Sequence, residues 1–301
     1  MPERRHLISI ADLTAGDVER LLMTAEALAD AGPLDALRGR TVVNLFYESS
    51  TRTSSSFELA ARRLGAATLT IRSAGSSVDK GESLKDTVLT LSAYDPDVIV
   101  VRHPHAGAPE LVARHTDAHV VNAGDGKRQH PTQALLDLFT LRAAFGRLEG
   151  LHVAIVGDVL HSRVARSLVQ ALAFVGARAT FVGPPTLLPR GLDVPISSDI
   201  AAIGAADVVY VLRMQRERME AGAAYVPSLR EYAARWGVTP ERLRPGQRVM
   251  HPGPMNRGVE IDARVADSTA ALVVDQVRAG LTVRMAVLLE AVGVDLAVEV
   301  A

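Results

Sequence analysis

Hydrophobic residues fall into two kinds of run that alternate along the chain. Contiguous aliphatic stretches read as buried strands over 41–46, 67–71, 97–101 and 118–121. Between them, apolar positions recur at three and four residues. This predicts helices over 14–31, about 54–64, 82–94 and 108–114. In the first helix Asp17 and Glu19 come early, Leu21, Leu22, Ala25 and Leu28 share a face, and Gly32-Pro33 ends it. A polar Gly/Ser loop, 73–81, interrupts the alternation.

The pattern then restarts. A helix over about 131–145 ends at Gly146, and strands follow over 151–156, 178–182, 207–212 and 247–250. A helix is expected over 162–174, a Pro-rich turn over 183–189 and a long apolar helix from roughly 270 to 292. Strands that alternate with helices imply parallel sheets covered on both faces. The expected fold is α/β: two doubly wound parallel-sheet domains of similar size, joined near 131–150. The last helix can pack on either one. Ligands of such sheets bind outside the strand carboxyl ends, and a cleft between two such domains is the expected site.

Composition narrows the function classes. The 301 residues allow two medium domains, and a formal net charge of -1 provides no basic field for a nucleic-acid partner. Cysteine is absent, which excludes disulfides, thiolate metal sites and thiol nucleophiles. No apolar run approaches the ~18 residues of a membrane span, and Met1–His6 does not lead into a signal-peptide core. A soluble cytoplasmic protein is expected. Only Lys80, Lys85 and Lys127 are lysines among 33 basic residues, so a lysine here stands against a strong arginine bias.

The stretch from Phe46 to Phe57 carries the clearest chemistry. A strand stops at Glu48-Ser49-Ser50-Thr51-Arg52-Thr53-Ser54-Ser55-Ser56, and a helical pattern begins. Capping a helix needs one hydroxyl residue, whereas six of the seven positions from Ser50 to Ser56 are hydroxylic and the seventh is Arg52. Free N–H groups at a helix start, hydroxyl donors and a guanidinium fork together suit phosphate or a similar oxyanion.

Other polar clusters fall at predicted strand ends: Arg102-His103-Pro104, Asn122 to Gly126 leading to Gln129–Gln133, Gly157-Asp158, Arg213-Met214-Gln215 and His251 to Pro254. His130 can donate to a developing oxyanion, with Gln133 one turn on as a second donor. The spacings of His103/His105 and His115/His119 lack partners for a metal, so no metal site is expected. Gly157-Asp158-Val159-Leu160-His161-Ser162 lacks the dinucleotide glycine pattern and no Walker A motif occurs, so no cofactor is expected. Arg52, Arg102, Arg163, Arg213 and Lys80 exceed what one phosphate needs, and the surplus suits a second substrate bearing carboxylates.

Ser50-Thr51-Arg52-Thr53, His130-Pro131-Thr132-Gln133 and Gly157-Asp158 with Arg163 resemble the aspartate and ornithine carbamoyltransferases. The likeness covers essentially the whole chain. It implies a carbamoyl-phosphate-binding domain over 1–133, completed by the C-terminal helix at about 280–301, and an amino-acid-binding domain over 134–279. Three segments resemble the aspartate branch rather than the ornithine one: the loop with Ser76 and Lys80-Gly81-Glu82-Ser83, Leu212 to Arg218, and His251 to Gly258. The Cys-Leu-Pro and Ser-Met-Gly motifs of ornithine enzymes are absent. Gly253 and Ser54 depart from the family pattern, where leucine and arginine are common.

The resemblance implies transfer of a carbamoyl group from carbamoyl phosphate to the α-amino group of L-aspartate, a step of de novo pyrimidine biosynthesis. It assigns Ser50, Thr51, Arg52, Thr53 and Arg102 to the phosphate, and Thr53, Arg102 and His130 to the carbonyl oxygen. Gln133 and the backbone at Pro252, Gly253 and Pro254 are assigned to the carbamoyl group. Arg163, Arg213 and Gln215 are assigned to the aspartate carboxylates, with Lys80 and Ser76 supplied by a neighbouring subunit. It therefore implies a homotrimer with shared sites, and, from the Pro252–Gly258 segment, association with dihydroorotase rather than with a separate regulatory chain.

Overall fold

The computed structural model describes residues 6–73, 81–215 and 225–294. Two compact units emerge, Met1–Phe139 with Val277–Ala301, and Thr140–Gln276.

The first unit contains α1 (Ala15–Ala29), β1 (Thr41–Phe46), α2 (Thr51–Arg63), β2 (Ala67–Arg72), α3 (Leu84–Ser92), β3 (Val98–His103), α4 (Ala108–Ala113), β4 (His119–Asp125) and the start of α5 (Pro131–Phe145). Its sheet is parallel, in the order β2-β1-β3-β4. Val43, Leu45, Ile99, Val101 and Val120 pack with Val88, Leu91 and Val112, each fully buried aliphatic contributing about 1.5–3 kcal/mol.

The second unit contains β5 (His152–Val156), α6 (Arg163–Phe174), β6 (Arg178–Val182), β7 (Ile196–Ser197), β8 (Val208–Val211), α7 (Leu229–Trp236), β9 (Arg248–Met250) and α8 (Ala263–Ala266). Its parallel sheet runs β7-β6-β5-β8-β9. Ala154, Val156, Val209, Val211 and Val249 form its core with Ile261 and Val265. Helix α9 (Val273–Val292) closes the chain.

Strand order fixes where chemistry can occur. From β1 the first sheet grows towards β2 on one side, and from β3 towards β4 on the other, so its switch point lies between β1 and β3. In the second sheet the switch point lies between β5 and β8. The segments leaving β1, β5 and β8 carry Ser50–Thr53, Asp158–Arg163 and Arg213–Gln215, and Arg102 lies at the carboxyl end of β3.

Several elements differ from the sequence expectation. Helix α2 begins at Thr51, about three residues early, because Ser50 caps it: its Oγ accepts from the Thr53 N–H at 3.3 Å. Strands β3 and β4 run on to His103 and Asp125. Arg102 is therefore within a strand, in register with Phe46, rather than in the loop after it. Helix α7 was not expected, although Ser228 and Glu231 mark its start, with the Glu231 N–H on Ser228 Oγ at 3.0 Å.

Candidate functional site

In the first unit the hydroxyl-rich stretch forms the N-terminal turn of α2. Thr51 and Arg52 are exposed there and Thr53 is buried. A cation in the first turn opposes the helix dipole, which favours acids at that end. The helices of eight or more described residues divide on this point. α1, α3, α7 and α9 carry Asp17, Asp86, Glu231 and Asp275 in their first turns. Helices α2, α5 and α6 carry no acid there. Those three are the helices whose starts bear Arg52, Gln133 and Arg163. This acid-free signature was readable in the sequence and went unused.

Arg102 meets this turn from β3. Its Nη1 donates to Thr53 Oγ1 at 3.5 Å and to the Ala123 carbonyl at 3.4 Å, and its Nη2 to Glu48 Oε1 at 2.7 Å. The Tyr47 N–H donates to the Arg102 carbonyl at 2.8 Å, which joins the end of β1 to β3. Glu48 holds the fork where the two strands end, and sequence reasoning assigned it nothing. Helix N–H groups, hydroxyls and an Arg102 side chain 12% exposed form a cradle whose chemistry suits an oxyanion.

His130 and Gln133 start α5, and a buried acid sets their approach. Asp125 Oδ1 accepts from Asn122 Nδ2 at 2.8 Å and from the Gln129 N–H at 3.1 Å, and its Oδ2 accepts from the Gly107 N–H at 2.9 Å. Gly126 turns the chain at φ +46, where a Cβ would lie 2.7 Å from the Ala106 nitrogen. Gln133 Nε2 donates to the buried Asp137 Oδ1 at 3.0 Å. Its Oε1 is then the end suited to a ligand donor.

A buried cation supports α2 from below. Arg284 on α9 donates to Ser56 Oγ and lies 5.1 Å from the Phe57 ring centroid. Burial pulls its pKa down to about 10, with Asp137 opposing the shift.

In the second unit Asp158 links two segments. Its Oδ1 accepts from His161 Nδ1 at 2.8 Å and from the His161 N–H at 3.3 Å, and its Oδ2 accepts from the Gln215 N–H at 3.0 Å. The entry to α6, with Arg163 buried in its first turn, is thus tied to the segment leaving β8. Gly157 has φ +115, and a Cβ there would lie 2.8 Å from Tyr232 Oη. Arg213 is half-buried and Gln215 is buried. After β9, Pro252 and Gly253 are half-buried and Pro254 is exposed.

The structure thus brings Thr53, on the Ser50-capped turn, together with Arg102, and ties Gln215 through Asp158 to His161, two residues before Arg163. His130 and Gln133 share one helix start. Ser76 and Lys80 lie outside the described residues, as does the 216–218 part of the segment that begins at Leu212.

Comparison with known proteins adds a family. Residues 5–143 match the model for the aspartate/ornithine carbamoyltransferase, carbamoyl-P binding domain, and residues 149–290 match that for the Asp/Orn binding domain. The aspartate carbamoyltransferase catalytic subunit of Salinispora arenicola is 54% identical over 299 residues, covering 94% of this chain and 96% of that one. That of Sorangium cellulosum is also 54% identical, over 94% and 92%. Aspartate transcarbamoylase from Trypanosoma cruzi in complex with carbamoyl phosphate and aspartate superposes with a TM-score of 0.86 at 32% identity. That match covers 95% of this chain and 96% of the other. The catalytic subunit of M. jannaschii aspartate transcarbamoylase gives 0.83 at 36% identity, over 96% and 98%.

Proposed function

The chain belongs to the aspartate/ornithine carbamoyltransferase family, and we propose that it makes N-carbamoyl-L-aspartate and phosphate from carbamoyl phosphate and L-aspartate. The observation that carries this reading is the approach of Arg102 to Thr53 at the acid-free start of α2. Curated relatives at about half identity are named for the same activity.

Ser50, Thr51, Arg52, Thr53 and Arg102 hold the phosphate. Thr53, Arg102 and His130 direct donors at the carbamoyl oxygen, where negative charge develops in the tetrahedral intermediate. Gln133 Oε1 and the Pro252 carbonyl accept from the carbamoyl nitrogen, with the backbone of Gly253 and Pro254 beside it. Arg163, Arg213 and Gln215 fix the two carboxylates of aspartate. The α-amino nitrogen attacks the carbamoyl carbon, the C–O bond to phosphate breaks, and the departing phosphate takes the amine proton. Positioning of two bound reactants supplies up to about 7–11 kcal/mol in well-oriented cases.

Ser76 and Lys80 complete the site of a neighbouring subunit, which makes a homotrimer the minimum active unit. Mixing Lys80→Ala chains with Arg52→Ala chains then restores part of the activity, and dead hybrids that nonetheless assemble exclude a shared site. The chain works in the cytoplasm as a step of pyrimidine synthesis; no described helix is long and apolar enough to cross a membrane. The Pro252–Gly258 segment favours dihydroorotase as an associate over a regulatory chain, which copurification of the mixture tests.

Incubation with carbamoyl phosphate and a panel of amines tests the central claim. Product is expected with L-aspartate, and turnover of ornithine without aspartate overturns it.

A further inference from the structure

The loop after β9 contains a contact with no role in the assignments above. The His251 side chain is fully buried just beyond the strand, and its backbone N–H donates to Gln276 Oε1 at 2.9 Å. Its Nδ1 accepts from the Gly253 N–H at 2.8 Å. An accepting Nδ1 carries no proton, so the neutral ring carries its proton on Nε2. That nitrogen lies 3.4 Å from Oε1 of Glu260, itself fully buried. The same carboxylate oxygen accepts from the Asn256 N–H, so the acid is anchored within the loop.

The Pro252–Gly253 peptide is planar, with its C=O and N–H antiparallel. Binding of the Gly253 N–H to the buried ring therefore turns the Pro252 carbonyl to the opposite side of the loop. Pro252 adds no N–H of its own to compete. We propose that His251 is a positioning residue: it aims the Pro252 carbonyl at the carbamoyl nitrogen, and the nearby Glu260 carboxylate favours the tautomer with its proton on Nε2. This rests on the functional reading given above, in which that carbonyl is a ligand contact.

A side-chain acceptor for the N–H two residues on is also what asparagine supplies in an Asx turn. Asparagine thus separates the acceptor from the ring. His251→Asn keeps the acceptor and loses volume, whereas His251→Phe keeps a planar ring of somewhat larger volume and loses the acceptor. The expected result is a kcat for His251→Asn within about threefold of the unaltered enzyme. For His251→Phe a loss of roughly 10–100-fold is expected, since misplacement by about 1 Å costs on that order. The aspartate KM should move little in either. A kcat ratio of Asn to Phe near or below one overturns the proposal, as does a loss that simply follows the melting temperature.

A second measurement needs no variant. In the unaltered protein with 15N-labelled histidine, His251 should show a bare Nδ1, a protonated Nε2 and a scalar coupling from the Gly253 amide to Nδ1. A protonated Nδ1, or no such coupling, overturns the proposal. The two failures remain distinct. If the unaltered chain makes no N-carbamoyl-L-aspartate, the functional reading fails, while the nitrogen spectrum still decides the geometry of the loop.

Discussion

The two units support the groups proposed to face ligands in different ways. In the first, Ser50, Thr51, Arg52 and Thr53 occupy one capped helix start and Arg102 lies within a central strand, so regular backbone geometry sets the cradle. In the second, Arg213, Gln215 and the Pro252–Pro254 loop lie beyond strand ends. Buried acids shape those segments: Asp158 takes the Gln215 N–H, and Glu260 takes the Asn256 N–H beside His251. Groups on regular elements are held by many small contacts, whereas groups on loops depend on a few strong ones. Substitution of a ligand-facing residue should therefore do most harm in the first unit, and substitution of a supporting residue should be selective for one substrate in the second.

The largest expected effect tests whether the cradle has a single support after all. Arg284 is a buried cation that feels the charge of the buried Asp137, and removing one partner of a buried charge pair costs about 3–5 kcal/mol. Arg284→Met should lower the unfolding free energy by that order in denaturant titrations. Adding Asp137→Leu should recover much of the stability but little activity, because Gln133 loses its partner. If Arg284→Met behaves like an ordinary surface change, α2 is held by its cap and apolar face alone.

Next comes the cradle itself. Arg102→Ala should reduce kcat by about 10²–10³-fold, the usual cost of removing an oxyanion donor, with little change in aspartate KM. Lysine should not rescue it, since one ammonium cannot reproduce a fork that reaches Glu48, Thr53 and Ala123. A change confined to aspartate KM would show that the division of labour between the units is wrong.

Support in the second unit is tested by Asp158→Asn. An amide cannot accept on both sides, so either the Gln215 N–H or the His161 pair loses its acceptor, at about 1–3 kcal/mol. Aspartate KM should rise roughly tenfold or more by the same relation, with carbamoyl phosphate KM nearly unchanged. Equal rises in both constants would mean that Asp158 supports the enzyme at large rather than this segment.

The same contrast governs what could be read in advance. The strands and the first-unit cradle were legible because contiguous apolar runs and a contiguous motif report local structure. The tie from Gln133 to Asp137 was passed over because Asp137 sits one helical turn away, at a spacing that a strand-end inventory does not cover. Arg284 was invisible: 228 residues separate it from Ser56, and an arginine in an apolar helix gives no local hint of its partner. Glu48 lay inside the motif and was given no role, although it anchors Arg102. The supporting contacts of Asp158, noted only as part of a strand-end cluster, and those of Glu260 escaped for a related reason, since an acid that accepts backbone N–H groups looks like any polar residue until the loop is folded.

The smallest expected effect compares one device in the two units. Ser50 caps α2 through the Thr53 N–H at 3.3 Å, and Ser228 caps α7 through the Glu231 N–H at 3.0 Å. As caps the two are equivalent, and alanine at either position should cost about 1 kcal/mol of stability. They differ in what the helix start faces. α7 has Glu231 in its first turn to satisfy the dipole, whereas α2 has Arg52 there and no acid. Ser50→Ala should therefore raise the KM for carbamoyl phosphate several-fold beyond its effect on melting, while Ser228→Ala should shift melting alone. Equal kinetic effects from both would reduce Ser50 to a cap, and Thr51, Arg52, Thr53 and Arg102 would then have to hold the phosphate without it.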